Sequence, residues 1–295
     1  MKIAALQMIS TPRVAENLAT ARRLMERAAA SGARLLVLPE YFCHIGHGDR
    51  DKLTIAEELD DGPIQRSLAE AARELGAWVI GGTLPIRCEP NGQDDGQRVY
   101  NSSLVYAPDG HRAGRYDKIH LFRYSNGQES YDESRVLRAG DEPVALTLTG
   151  AAARPLRVGL TVCYDLRFPE LYRTLSFTPG APACDLFAVP SAFTYTTGRV
   201  HWELLLRARA IENQAYIVAP AQGGVHENGR RTWGHSMIVD PWGEVLALLP
   251  EGEGVAAAEM DLARLDAVRS QLPALGHVRL PLQGLARSAE PCPAP

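Results

Sequence analysis

The sequence predicts an α/β protein, one domain of layered sheets with helices outside. Three observations carry that prediction. Short strand-type runs alternate with helical patterns from end to end of the 295 residues. No repeat of fixed period and no linker divides the chain. The composition, 45% hydrophobic and 22% charged, is that of a soluble globular domain.

The elements follow in order. "KIAALQM" reads as a strand, and "VAENLATARRLMERAAASGA" places Leu18, Ala21, Leu24, Met25 and Ala28 at helical spacing before a glycine stop. "RLLVLPE" is a short buried strand. Pro63 opens a second helix through Leu68, Ala72 and Leu75, and "AWVIGGT" returns as a strand. "VYNSSLVYAPDGHRAGRYD" is a hairpin around Pro-Asp-Gly, with a polar loop, "RCEPNGQDDGQR", before it. The stretch from Arg123 to Glu142 reads as loop. Beyond it, "PLRVGLTVC" is a strand, "PELYRTLSF" a helix opened by Pro169, and "DLFAVPSAF" a strand. "HWELLLRARAIENQ" is a helix and "AYIVAPAQ" a strand. "HSMIVDPWGEVLALL" is a hairpin, "GVAAAEMD" an edge-like strand, and "LARLDAVRSQL" a last short helix. A Pro-rich tail begins at about Leu272 of the single domain, 1–295.

Bulk properties exclude several classes. A net charge of −4 gives no footprint for nucleic acid. No apolar run reaches the ~18 residues that span a bilayer, and the start lacks the apolar segment of a secretory leader. Five irregularly spaced cysteines argue against a disulfide framework and suit a reducing, cytoplasmic setting. Without a Cys-x-x-Cys pair, no metal site is expected. His201 and Glu203 form an isolated "HWE".

Three polar residues stand where strands end, the place where α/β proteins bind ligands. They are Glu40 after "LLVLP", Lys118 after the hairpin, and Cys163 after "RVGLTV". A buried cysteine is ordinarily a small hydrophobe, and Glu40 and Lys118 each have bland readings as loop or surface charges. Yet of 31 basic residues only Lys2, Lys52 and Lys118 are lysine, so a lysine inside "RYDKIHLF" suggests a need for a compact ammonium. Taken together the three are the parts of a thiol hydrolase without histidine: nucleophile, carboxylate base and a cation for the oxyanion.

"LPEYF", "YDKIHLF" and "CYDLRFPELYR" resemble, in order, the Glu, Lys and Cys motifs of the nitrilase, or carbon–nitrogen hydrolase, superfamily. The resemblance runs from "IAALQM" to the final helix. It implies a four-layer αββα sandwich, a homodimer or larger homo-oligomer, no cofactor, and a second glutamate after the lysine, matched by Glu133. "CYDLRFPEL", "PSAF", "HWELLLRARAIENQ" and "GHSMIVDPWGEV" resemble its amidase branch. That branch implies hydrolysis of a small linear amide to carboxylate and ammonia through a cysteine thioester. Deaminated glutathione is the first substrate expected and 2-oxoglutaramate the alternative. Hydrolysis of a nitrile or N-carbamoyl amine, and an inactive binding subunit, are the other readings.

Within that scheme Glu40 takes the Cys163 proton and returns it to the leaving group, then activates water. Lys118 and the Tyr164 backbone N–H stabilise the oxyanion, and Glu133 orients Lys118. Tyr41, Phe42, Phe168 and Phe193 are expected to line the pocket or to be core. Ser191 and Thr194 offer hydroxyls to the substrate. Arg167 either holds a substrate carboxylate or pairs structurally with Asp165 or Glu170, the latter favoured.

Overall fold

The computed structural model describes residues 1–88, 97–127 and 130–280. The polar loop "RCEPNGQDDGQR", Cys292 and most of the Pro-rich tail lie wholly or largely outside these residues.

The first half of the chain builds one sheet and its helices. β1 (Lys2–Gln7), α1 (Val14–Ala30) and β2 (Ala33–Val37) are followed by a short α2 (Asp51–Thr54) and by α3 (Pro63–Leu75). Then come β3 (Trp78–Ile80), β4 (Leu84–Arg87), β5 (Val99–Tyr106) and β6 (Arg112–Asp117). The stretch expected to be loop instead holds a small hairpin, β7 (Arg123–Ser125) with β8 (Ser130–Asp132), a single 3₁₀ turn and β9 (Leu137–Arg138). These pieces are too short to leave a periodic pattern.

The second half builds the other sheet. β10 (Ala145–Leu148), β11 (Leu156–Leu160), α4 (Pro169–Ser176) and β12 (Leu186–Ala188) lead to α5 (Tyr195–Asn213). β13 (Tyr216–Ala219), β14 (Ser236–Val239), β15 (Val245–Leu249), β16 (Gly254–Glu259) and α6 (Leu262–Gln271) complete the described chain. α5 starts six residues before "HWELLL", because the Thr194 hydroxyl caps it by accepting from the Thr197 N–H.

One sheet runs β16-β1-β2-β3-β5-β4, with β6 and β9 also on β5; the other runs β10 through β15 in order. β16 stands at the edge of the first sheet, as its composition suggested. Side-chain alternation explains the layering. In β1, Ile3 and Ala5 enter a core shared with Val158, Leu160, Ala188, Val218 and Ile238 of the second sheet. Ala4 and Leu6 point the other way, against Leu24 and Met25 of α1 and Leu68 of α3. β2 repeats the pattern with Leu35 and Val37 inward and Leu36, like Leu38 just past the strand, toward the helices. Trp202 and Leu206 of α5, with Tyr172 and Leu175 of α4, cover the far face of the second sheet. The order is helices, sheet, sheet, helices. Each Leu or Ile buried in these layers contributes roughly 1.5–3 kcal/mol over its exposed state.

No helix among the described residues is long and apolar enough to cross a membrane.

Candidate active site

The site lies between the two sheets, where β2, β6, β11 and β12 end. β2 leads through Leu38 and Pro39 to Glu40, which is buried. The turn that follows is held against steric preference. Tyr41 has φ +56°, and its N–H donates to the Thr83 hydroxyl at 2.9 Å. Gly82 passes beneath: at φ +53°, a Cβ there would lie 2.0 Å from the Pro39 carbonyl oxygen. Gln222 Nε2 donates to the Glu40 carbonyl at 3.1 Å.

Cys163 opens a 3₁₀ turn after β11 and also has positive φ, +48°. Its N–H donates to the Pro190 carbonyl at 2.9 Å. Such conformations cost of the order of 1–3 kcal/mol each, so the surroundings must hold them. Asp165 does so for the Cys163 turn. It accepts from the Val162 N–H at 2.8 Å, the Tyr116 hydroxyl at 2.7 Å, and both the N–H (3.1 Å) and Nδ1 (2.7 Å) of His120. His120 in turn stacks on Phe168, ring centroids 3.7 Å apart.

Lys118 follows β6, fully buried, its N–H donating to the Asn101 carbonyl. Nζ donates to Glu40 Oε1 at 2.9 Å and to Glu133 Oε2 and Oε1 at 2.8 and 3.0 Å. Glu40 Oε1 also accepts from Asn101 Nδ2 at 3.0 Å, and Oε2 from the Ala192 N–H at 3.0 Å. Glu133 is fixed by the Phe122 N–H at 2.7 Å and the Tyr41 hydroxyl at 2.9 Å.

The charges follow from these contacts. Burial opposes the Lys118 charge, yet the Glu133 and Glu40 carboxylates more than offset it and hold the ammonium above the ordinary lysine range. Burial likewise works against the Glu133 charge, but Lys118 pulls that carboxyl below its usual value. Burial and the neighbouring Glu40 carboxylate push the Cys163 thiol well up, against the smaller opposite pull of Lys118. The thiol therefore rests protonated, beside a carboxylate able to take its proton.

A narrow cleft opens onto this set, lined by Glu40, Glu133, Cys163, Tyr164, Phe193 and Thr194 among others. Of the residues read from the sequence as substrate contacts, Arg167, Phe193 and Thr194 face it. Four do not. Phe42 is fully buried in the core under α1 and α3. The Ser191 hydroxyl is spent on the Val189 carbonyl at 3.0 Å. Tyr41 stands behind Glu133, and Phe168 is taken up by His120. The favoured structural pairing of Arg167 is also corrected. Among the described residues it makes no ion pair with Asp165 or Glu170, and instead lies over the Tyr164 and Phe193 rings with Nη1 3.1 Å from His201 Nδ1. Sequence reasoning missed Asn101, Phe122, Ala192, Thr197 and Arg230. Each comes from a segment whose local pattern says strand, loop or cap, and only the fold brings it here.

Among the described residues no group of three or more His, Cys, Asp or Glu side chains is arranged to hold a metal ion. A thiol and a carboxylate on one cleft, with a buried ammonium bonded to that carboxylate, make up the equipment of a thiol-dependent hydrolase. The chain belongs to the carbon-nitrogen hydrolase family, whose model matches residues 2–270. It is 40% identical over 275 residues to a deaminated glutathione amidase of Synechocystis sp., covering 93% of this chain and 96% of that one. It is 39% identical over 287 residues to the deaminated glutathione amidase of Mus musculus, covering 96% and 84%. The crystal structure of Saccharomyces cerevisiae Nit3, a member of branch 10 of the nitrilase superfamily, superposes with a TM-score of 0.80 at 28% identity, over 92% of this chain and 94% of Nit3. The αββα sandwich is thus that of the nitrilase superfamily.

Proposed function

We propose that the protein is an amidase acting on deaminated glutathione, with Cys163 as nucleophile. The observation that supports this most is the arrival of Glu40 and Cys163 at one cleft, with Lys118 bonded to Glu40 from behind, the three coming from separate strand ends. Glu40 accepts the thiol proton as sulfur attacks the amide carbon, and Lys118, with the Tyr164 N–H, stabilises the oxygen that becomes negative. Collapse breaks the carbon–nitrogen bond, with the proton passing from Glu40 to the departing nitrogen. Water, activated by Glu40, then hydrolyses the thioester and regenerates the thiol. Glu133 keeps Lys118 aimed. The name shared by the Synechocystis and mouse relatives supports the substrate.

That substrate revises one expectation. Deaminated glutathione is a peptide whose amides are secondary, so cleavage of its ω-amide releases an amine, cysteinylglycine, beside 2-oxoglutarate. Ammonia would leave only from a primary amide such as 2-oxoglutaramate. The test compares kcat/KM for deaminated glutathione, 2-oxoglutaramate, glutamine and butyramide, following amine and ammonia release separately. A site that pairs the 2-oxo acid end disfavours compounds lacking it by as much as ~10⁴-fold. Equal values for the oxo acids and butyramide reject the reading, and a preference for 2-oxoglutaramate reassigns the enzyme to that amide.

We further propose a cytoplasmic homodimer. Cys43, Cys163 and Cys184 are free thiols, as a reducing compartment allows. On α5, Val200, Leu204 and Ile211 are 59, 69 and 50% exposed, an apolar stripe suited to a second copy.

A further inference from the structure

Arg230 lines the cleft, yet nothing in the proposed reaction uses it. Its guanidinium lies over the Tyr131 ring, 5.3 Å from the centroid, and Nη2 donates to the Ala192 carbonyl at 2.8 Å. Among the described residues it forms no ion pair, and its Nε is a buried donor with no acceptor. A buried cationic donor left unsatisfied costs free energy that an anionic partner recovers. Carboxylates do stand nearby, but Glu40 and Glu133 are already committed to Lys118. Arg167 occupies a different wall, over Tyr164 and Phe193. The cleft therefore carries two arginines without carboxylate partners among the described residues, each laid over different aromatic rings, with Cys163 on the same lining.

We infer that Arg230 is a specificity residue that binds a second substrate carboxylate, on the leaving-amine side of the scissile bond. The inference rests on the proposed amidase reading and narrows its substrate class to amides with a carboxylate at both ends. A guanidinium fork suits that task because it offers paired donors in one plane. Deaminated glutathione meets the requirement through its glycine carboxylate, and 2-oxoglutaramate does not.

The test pairs deaminated glutathione with its C-terminal glycinamide, which differs only in that carboxylate. Wild type should favour the acid in kcat/KM by about ten- to a hundredfold, the scale of a charge-assisted contact. Arg230→Met should bring the ratio close to one, and Arg230→Lys should keep part of it. The same pair is read without turnover, as protection of Cys163 from iodoacetamide mapped by mass spectrometry. There wild type should be protected at lower concentrations of acid than of amide, and Arg230→Met equally by both. Equal protection of wild type by acid and amide overturns the inference, as does an unchanged preference in Arg230→Met. Failure of wild type to turn over either compound, with the protection difference intact, counts against the amidase reading and leaves Arg230 a carboxylate receptor.

Discussion

Asp165, two residues after Cys163, grips both the backbone N–H and the ring of His120, two residues after Lys118. One carboxylate thereby ties the loop that carries the cation to the turn that carries the thiol. Its other oxygen holds the Val162 N–H, immediately before the strained cysteine.

Replacing that carboxylate should disturb geometry more than binding. Asp165→Asn loses one acceptor oxygen, and with it either the His120 clamp or the Val162 and Tyr116 contacts, so Cys163 and Lys118 can drift relative to each other. Misplacement by about 1 Å is enough to cost ~10²-fold in rate. Steady-state kinetics should show kcat down by roughly that factor with KM changed less than threefold. A variant that loses KM and keeps kcat speaks against this coupling.

The proposed nucleophile admits a direct test. Cys163→Ala should reduce turnover by at least ~10⁴-fold while circular dichroism and melting cooperativity stay those of wild type. Cys43 and Cys184 are packed in the interior, 1 and 0% exposed, so Cys43→Ala and Cys184→Ala should alter stability and leave kcat close to wild type. Comparable activity in Cys163→Ala removes the thioester from the mechanism.

Lys118 is enclosed by three hydrogen bonds to two carboxylates and is fully buried. Lys118→Arg must fit a larger planar group into a space shaped for an ammonium, and should lower kcat by ~10²–10³-fold. Lys118→Met leaves Glu40 and Glu133 facing each other without a counter-charge. It should be less stable than wild type by several kcal/mol, since breaking a buried pair on one side costs about 3–5. Urea denaturation at pH 7 measures this.

The sequence made the proposed nucleophile and base legible because Cys163 and Glu40 each follow a strand whose apolar run is easy to see, and the proposed cation because lysine is so scarce in this chain. The layers were legible for the same reason: β1 and β2 are apolar on both faces, which demands cover on both sides. What stayed hidden depends on direction and distance. Phe42 and Tyr41 are adjacent to Glu40 in sequence, yet Phe42 turns into the core and Tyr41 behind Glu133. Ser191 follows a strand end as Cys163 does, but its hydroxyl folds back on Val189. Arg230 sits among polar residues in "ENGRRTWG", where nothing distinguishes it from a surface arginine until the fold brings Ala192 and Tyr131 to it.

The raised pKa of Cys163 has consequences for both reactivity and stability. Alkylation by iodoacetamide requires the thiolate, so at pH 8 Cys163 should react more slowly than an ordinary cysteine, whose pKa is ~8.5. The half-buried Cys88 should label first. The rate at Cys163 should keep climbing where a normal thiol has levelled off. For stability the sign is fixed by proton counting. Above the ordinary thiol value the unfolded chain has lost the Cys163 proton and the folded chain still holds it. The folded state then binds more protons, and stability falls as pH rises, by about 1.4 kcal/mol per pH unit. Below pH 8 both states are protonated and this group contributes no slope. Cys163→Ala removes the group from both states. Urea unfolding of the two proteins between pH 7 and pH 10 should therefore diverge only above about pH 8.5, with wild type losing stability faster. Parallel curves across the whole range mean that Cys163 ionises like a thiol in water, and that Lys118 offsets burial and Glu40 at the sulfur.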